Sequence, residues 1–294
     1  HQSAAQESET SDGDCYGGVG VISASDLLAQ TIEQYNPVKV VCLFSGGHDS
    51  FSATHFAMKR IPNAVVAHIN TGIGIEKTRD FVREQCAANG WPLIEEHPPD
   101  LTYEQMVLKY GFPGPAAHRY AYSWLKERGL KNVIRRFRKP RSKDRVMLVT
   151  GIRSSESKRR MGNAKPVQVL PSQIWVSPII DWDGRDINQY LERHCLPRNE
   201  VVDLLHMSGE CLCGAFARPG ELDEIKLWFP EVEQKIRNLE DQAREAGVWY
   251  KWGHEPEEKH DSRQGHLFNL PMCYGCLNDT SSQSEPNAFS HQAQ

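Results

Sequence analysis

The sequence predicts a doubly wound, mostly parallel α/β sheet followed by a helical, cysteine-rich C-terminal region. Three observations carry this expectation. Apolar, β-branched runs alternate with helical patterns from Val38 onward, a Ser-Gly-Gly turn directly follows the first run, and two close cysteine pairs fall beyond residue 210. Strands of a parallel sheet are covered by crossover helices on both faces, so they read as near-continuous apolar runs.

The elements follow in order. Residues 1–18 are polar and end in a Gly-rich stretch, the composition of a flexible tail; the chain opens His1-Gln2 and this end is left out of fold reasoning. Ser25 is expected to cap a helix running to Tyr35. Val38–Phe44, broken only by Lys39, is the first buried strand, and helical character resumes over Phe51–Arg60. Ala64–Asn70 is a second strand, followed by a helix around Glu76–Asn89 and a weaker strand at Leu93–Glu96. Tyr103–Leu108 and the basic stretch His118–Arg138 read as helices, the latter interrupted near Gly129. Arg145–Thr150 is the fourth strand, Ile174–Ile180 a short fifth element, and Asp186–His194 and Leu222–Gly247 are helices.

Net charge is only −4, yet residues 119–165 hold 16 Lys/Arg against three acids, a local excess of +13 that leaves −17 for the rest. Such polarity means a local basic surface, and a polyanion or a solvated helix face both account for it. Eight cysteines in 294 residues do not make a secreted disulfide scaffold. There is no apolar run long enough to cross a bilayer and no secretory signal pattern, so a soluble, cytoplasmic protein without a membrane partner is expected.

Ser45-Gly46-Gly47-His48-Asp49-Ser50 follows a strand and opens a helix. Paired glycines let backbone N–H groups converge on an oxyanion, and the helix start adds its positive dipole. Ser45 and Ser50 offer hydroxyl donors, and Asp49 can orient the loop or help hold Mg2+. A capped strand-to-helix turn is the plain alternative, but the full Ser-Gly-Gly-x-Asp-Ser pattern after a buried strand is more specific than that. Emerging from the fourth strand, Arg153, Arg159 and Arg160 could grip phosphate or sulfate with guanidinium forks.

The segment resembles the PP-loop of the adenine nucleotide α-hydrolase group, with His48 where members often carry lysine. Further along, His68-Ile69-Asn70-Thr71-Gly72 is similar to the Asp-Thr-Gly turn of the phosphoadenosine phosphosulfate (PAPS) reductase-like family, with Asn70 in the aspartate's place. Gly151-Ile152-Arg153-Ser154-Ser155-Glu156-Ser157-Lys158-Arg159-Arg160 resembles its Gly-hydrophobic-Arg-x-x-Glu-Ser-x-x-Arg segment, and Pro178–Trp182 with Asp186, Ile187, Tyr190 and Leu191 its Pro-Leu-x-x-Trp run. The resemblance implies a Rossmann-like PP-loop fold with a nucleotide-binding domain over 21–200, between a flexible tail at 1–20 and a helical, Cys-rich region at 201–278, and a disordered tail at 279–294. It implies nucleotide contacts at Ser45, Gly46, Gly47, His48, Asp49, Ser50, Asn70, Thr71, Gly72, Gly151, Arg153 and Arg160. Catalytic roles fall to Asp49, Arg153 and Lys126, the last in a Leu-Lys pair that looks like the substrate side of the family's pocket.

Cys211-Leu212-Cys213 and Cys273-Tyr274-Gly275-Cys276 are separated by 59 residues. Two close thiolate pairs can complete four-coordination of Zn2+ or of an iron–sulfur cluster, and the chemistry alone leaves both open. The resemblance to assimilatory APS reductases implies [4Fe–4S]. The catalytic Glu-Cys-Gly-x-His segment of sulfonucleotide reductases is not found after Cys276.

The expectation is therefore an enzyme that binds ATP, or a PAPS/APS-like adenine nucleotide, with Mg2+. It would adenylylate an acceptor and release pyrophosphate, in sulfur transfer or nucleic-acid modification. DNA or RNA would approach over residues 119–165, where Tyr120, Tyr122, Trp124 and Phe137 interleave with the cations, and a sulfur donor protein would be a second partner. A PAPS/APS reductase working through Cys15 or Cys195, and a nucleotide- and nucleic-acid-binding protein without turnover, are the alternatives.

Overall fold

The computed structural model describes residues 22–155 and 165–253. Helix α1 (Ala24–Tyr35) leads into β1 (Lys39–Leu43), α2 (His48–Met58), β2 (Val65–Ile69), α3 (Glu76–Ala88) and β3 (Leu93–Glu96). After α4 (Tyr103–Tyr110) a helical stretch runs from His118 to Phe137, and β4 (Val146–Val149), β5 (Val167–Val169) and β6 (Gln173–Val176) complete the sheet. Strand order is β3-β2-β1-β4-β6-β5, parallel throughout except for the antiparallel β5–β6 pair.

This order reverses direction at β1. The chain winds outward through β2 and β3 on one side, then returns to place β4 on the other. The register pairs Cys42 with Val149, so the loops leaving β1 and β4 emerge side by side at the carboxyl end of the sheet. That crevice is where ligands sit in open α/β sheets.

Val40, Cys42, Met147 and Val149 pack one face of the sheet against α1, α2 and α3, with Phe44, Phe51 and Phe81 in mutual ring contact. Val41, Val65, Val146 and Leu148 pack the other face against Leu130, Val133 and Ile134. The alternation follows from side chains pointing to opposite faces along a strand. A separate core gathers α4, the Ala121–Leu125 turn and the C-terminal helices Glu221–Trp228 and Pro230–Glu245 around Trp252 and Cys213.

Several elements differ from the sequence reading. Ser23, not Ser25, caps α1, accepting from the Asp26 amide. The stretch expected as strand over Ile174–Ile180 is strand only over Gln173–Val176; Pro178 offers no amide and Ser177 begins a turn. The helix expected over Leu222–Gly247 breaks at Phe229, because Pro230 starts a second helix at its first position. Gly129 does not interrupt the basic helix. Instead Ser123–Glu127 is a π turn, and the bare Cα of Gly129 lies where a Cβ would touch Glu96 and Ile69 at 3.4 Å. Among the described residues no helix is long and apolar enough to cross a membrane.

Behind α2, His55 Nδ1 lies 2.8 Å from the Tyr190 hydroxyl in a buried aromatic group with Trp182 and His194. Burial, reinforced by His194, Lys59 and Arg60, pushes the His55 pKa down to about 4. The folded protein thus keeps His55 neutral at pH values where the unfolded chain protonates it. Its contribution is fully present above about pH 6.5 and is lost as pH falls toward 4. Urea unfolding at stepped pH is expected to show this fall, with a shallower slope for His55→Gln.

Candidate functional site

Gly46 sits at φ +83°, and a Cβ there would lie 2.4 Å from the Thr78 Cγ2 methyl on α3. The position therefore requires glycine on both counts. Gly47 is the N-cap of α2, and no side chain caps that helix. The amides of the first turn have no intrahelical acceptors, which makes a helix start an anion site. The loop is held from within. Ser50 Oγ donates to the Gly47 carbonyl at 2.9 Å and accepts from the Ser45 amide at 3.2 Å, while Ser45 Oγ lies 3.1 Å away.

The chain leaving β4 crosses this helix start. A Cβ on Gly151 would stand 2.5 Å from the Ser50 amide nitrogen and 2.6 Å from the Asp49 carbonyl carbon. Two residues on, Arg153 reaches back over the loop. Its Nη2 is 3.0 Å from Asp49 Oδ2 and its Nη1 donates to Ser155 Oγ at 2.9 Å, while the buried Nε has no hydrogen-bond partner among the described residues. Arg160 and Arg159 lie outside the described residues.

His48 and Asp49 point in different directions. His48 is buried beneath the segment before the helix Glu200–Leu205, where the Asn199 amide donates to its Nε2 at 3.3 Å and Arg198 approaches its Nδ1. Burial and then the Arg198 charge lower its pKa, against the pull of Asp203. Asn199 also donates from Nδ2 to the Gly46 carbonyl at 2.8 Å, and its Oδ1 accepts from Val201, capping the helix it precedes. Sequence reasoning missed Asn199, although an Asn just before Glu200-Val201-Val202 carries the helix-start signal.

At the end of β2, Asn70 Oδ1 accepts from the Gly72 amide at 3.0 Å and its Nδ2 donates to Glu95 Oε1 at 2.7 Å. Hydrogen bonds from Arg83 hold the Glu95 carboxyl down at about 2. Thr71 is tied to Glu210, donating its amide to Oε1 at 2.8 Å and its hydroxyl to the backbone carbonyl at 2.6 Å. Glu210 is 1% exposed, with His68 Nε2 at 3.2 Å and Arg79 Nε at 3.8 Å. The same segment takes a hydrogen bond from Thr78 Oγ1 to Ser208 O and from Ile75 N to Gly209 O. Glu210 was not singled out from the sequence, and its place directly before Cys211 was the available signal.

Cys211 and Cys213 are thus delivered beside the loop that follows β2. A hydrogen bond from the Cys213 thiol, opposed by burial and helped by Lys126, brings Cys211 down to about 6; the same bond and burial drive Cys213 upward. Cys273 and Cys276 lie outside the described residues, and among the described residues no group of three or more metal-ligating side chains occurs. Trp252 ties the far end of the described chain to this pair: its indole N–H donates to Leu212 O at 2.7 Å. Lys126 lies on the π turn, where its charge acts on the cysteines.

The basic helix is partly neutralised. Arg128 pairs with Asp100, Lys131 with Glu127 at 2.8 Å and Arg136 with Glu96 at 2.5 Å. Hollows of about 410 and 510 Å3 lie on the C-terminal helices around Lys235 and Arg218, apart from the phosphate loop. An uncapped helix start crossed by the Arg153–Asp49 ion pair, rather than hollow size, distinguishes the loop.

The family model for the phosphoadenosine phosphosulfate reductase domain matches residues 39–208. An uncharacterised protein of Methanocaldococcus jannaschii is 26% identical over 194 residues, 65% of this chain and 45% of that protein. The phosphoadenosine 5'-phosphosulfate reductase of Alkalilimnicola ehrlichii is 25% identical over 170 residues, 55% of this chain and 64% of its own length. The chain spans about half the length of the M. jannaschii relatives it matches. Among solved structures, the PAPS reductase of Candida auris in its phosphate complex aligns at a TM-score of 0.49 and 19% identity, covering 62% of this chain and 85% of that one.

Asn199→Ala removes a helix cap and the clamp on Gly46 together. It is expected to cost about 1–2 kcal/mol in chemical unfolding, with weaker phosphate binding by calorimetry; unchanged values on both counts would detach Asn199 from the loop.

Proposed function

The chain belongs to the phosphoadenosine phosphosulfate reductase domain family, and from that premise we propose that it binds ATP, or a PAPS/APS-like adenine nucleotide, on Ser45–Ser50 and adenylylates an acceptor. One observation carries the reading: Arg153 is drawn onto the start of α2 by Asp49, with its buried Nε lacking a hydrogen-bond partner among the described residues. A guanidinium held in that way, next to uncapped helix amides, is prepared for phosphate rather than for water.

In this reading the amides of Gly47–Ser50 and Arg153 receive the phosphates, and Asn70, Thr71 and Gly72 border the adenosine. An acceptor oxygen attacks the α-phosphorus, the bond to the bridging oxygen breaks, and pyrophosphate leaves with the electron pair. The acceptor's proton passes to solvent, and a sulfur nucleophile afterwards displaces AMP. Arg153 stabilises charge that grows on the phosphoryl oxygens, while His48, held by Asn199, shapes the loop. Magnesium, when bound, offsets phosphate charge, and Asp49 is the carboxylate at this loop that would hold it.

The Cys211–Cys213 pair fits half of a four-cysteine site. Cys273 and Cys276 would supply the rest of a [4Fe–4S] cluster, with Zn2+ as the competing occupant. Such a group supplies fixed charge and rigidity beside the substrate, and Lys126 is placed to respond to it. The acceptor that the basic stretch 119–165 supports is DNA or RNA, with a sulfur donor protein as second partner.

The name of the A. ehrlichii relative favours a second reading, reduction of a sulfonucleotide. Cys195, which is exposed, and Cys15, outside the described residues, are the thiols it would draw on. Thioredoxin-dependent sulfite release, lost in Cys195→Ser or Cys15→Ser, would establish that chemistry.

For the principal reading, protein incubated with ATP, magnesium and a panel of DNA and RNA acceptors is expected to release pyrophosphate. Arg153→Ala should slow release about 100-fold. Silence across the panel, or an Arg153→Ala rate equal to wild type, would overturn it.

A further inference from the structure

Four side chains from two helices form a ladder on the surface. Lys109 Nζ stands 5.1 Å from the Tyr110 ring centroid, Tyr110 meets Trp124 edge-to-face at 5.3 Å, and the Arg128 guanidinium lies 5.1 Å over Trp124. Tyr110 is 57% exposed and Tyr120, one helical turn before Trp124, is 65% exposed. Core packing accounts for Trp124, which rests on the C-terminal core, but not for the two tyrosines.

The charge around the ladder has one sign to spare. Asp100 answers Arg128 and Glu127 answers Lys131, whereas Lys109, Arg119 and Arg135 are exposed without an ion-pair acid among the described residues. Twenty residues of continuous helix, His118 to Phe137, span about 30 Å and carry Arg119, Arg128, Lys131 and Arg135, while Lys109 stands on α4. Exposed aromatic rings interleaved with cations match a phosphate backbone whose bases are free to stack. A duplex keeps its base faces covered, so it offers phosphates but nothing for Tyr110 and Tyr120.

We propose that the Lys109–Tyr110–Trp124–Arg128 ladder, extended by Tyr120, is a stacking platform for single-stranded nucleic acid. The proposal rests on the nucleic-acid acceptor reading above and names the form in which that acceptor arrives.

The test is fluorescence anisotropy of the full chain with a labelled pyrimidine strand of about 15 nucleotides, as DNA and as RNA, and with the corresponding DNA duplex. Single strands should bind about tenfold or more tightly than the duplex and quench tryptophan emission. Tyr110→Ala should weaken single-strand binding about tenfold while Tyr110→Phe retains it. Lys109→Ala should lower the salt slope by about 0.7, which Tyr110→Ala leaves alone. Tyr110 is exposed, and equal thermal unfolding of the variants will show that the fold is kept. Wild-type affinity in Tyr110→Ala, or equal binding of duplex and single strand, overturns the platform. Strand binding sensitive to Tyr110 without pyrophosphate release leaves the platform standing and removes adenylylation. Pyrophosphate release with a small acceptor and no strand binding does the reverse.

Discussion

Backbone-on-backbone contact between Gly151 and the Asp49–Ser50 peptide is the constraint on which the site depends. The two segments belong to adjacent parallel strands, β1 and β4, and the register of that pair decides where each loop emerges. With no side chain at Gly151 the second loop can lie directly across the helix start, and Arg153 then falls within reach of Asp49. A side chain at that position would separate the phosphate loop from its arginine. The rest of the sheet, from the aromatic layer of Phe44, Phe51 and Phe81 to the buried β4 valines, keeps this one approach in place.

Much of this was legible in the sequence for a physical reason. Three central parallel strands are buried on both faces, so Val40–Leu43 and Val146–Val149 carry uninterrupted apolar runs and Val65–Ile69 is broken only by His68, and the doubly wound sheet was read from them. The Gly-Gly turn between β1 and α2 was legible because a positive φ and a helix start both leave marks in residue type at neighbouring positions, Gly46 and Ser50 among them. What could not be read was contact between distant segments. Asn199 holding Gly46, and Glu210 holding Thr71, join positions 153 and 139 residues apart, and nothing local records such a meeting. The π turn at Ser123–Glu127 escaped for a different cause, since an extra residue in a helical turn keeps helical composition and only shifts the face that follows.

The cysteine segment is less an appendage than a continuation of the nucleotide side. Residues 208–210 run along the loop between β2 and α3, joined to it by Thr78, Ile75 and both donors of Thr71. Gly74 faces the Glu210 backbone so closely that a Cβ there would stand 2.6 Å from its carbonyl oxygen. Burying Glu210 with His68 and Arg79 beside it makes the junction stiff, because a carboxylate removed from water holds whatever compensates it. A change in the geometry of Cys211 is therefore transmitted to Thr71 through a single residue.

Trp252 has a parallel consequence at the other end of the pair. Its ring fills the space where Gly214 lacks a side chain, its indole bonds Leu212, and its own amide bonds the buried carboxylate of Glu240. The polypeptide is thus fastened beside Cys213 up to residue 253, the last of the described residues. Anchoring of this kind limits how far the Cys211–Cys213 turn can open, since any movement of Leu212 must drag the tryptophan and the carboxylate that holds it.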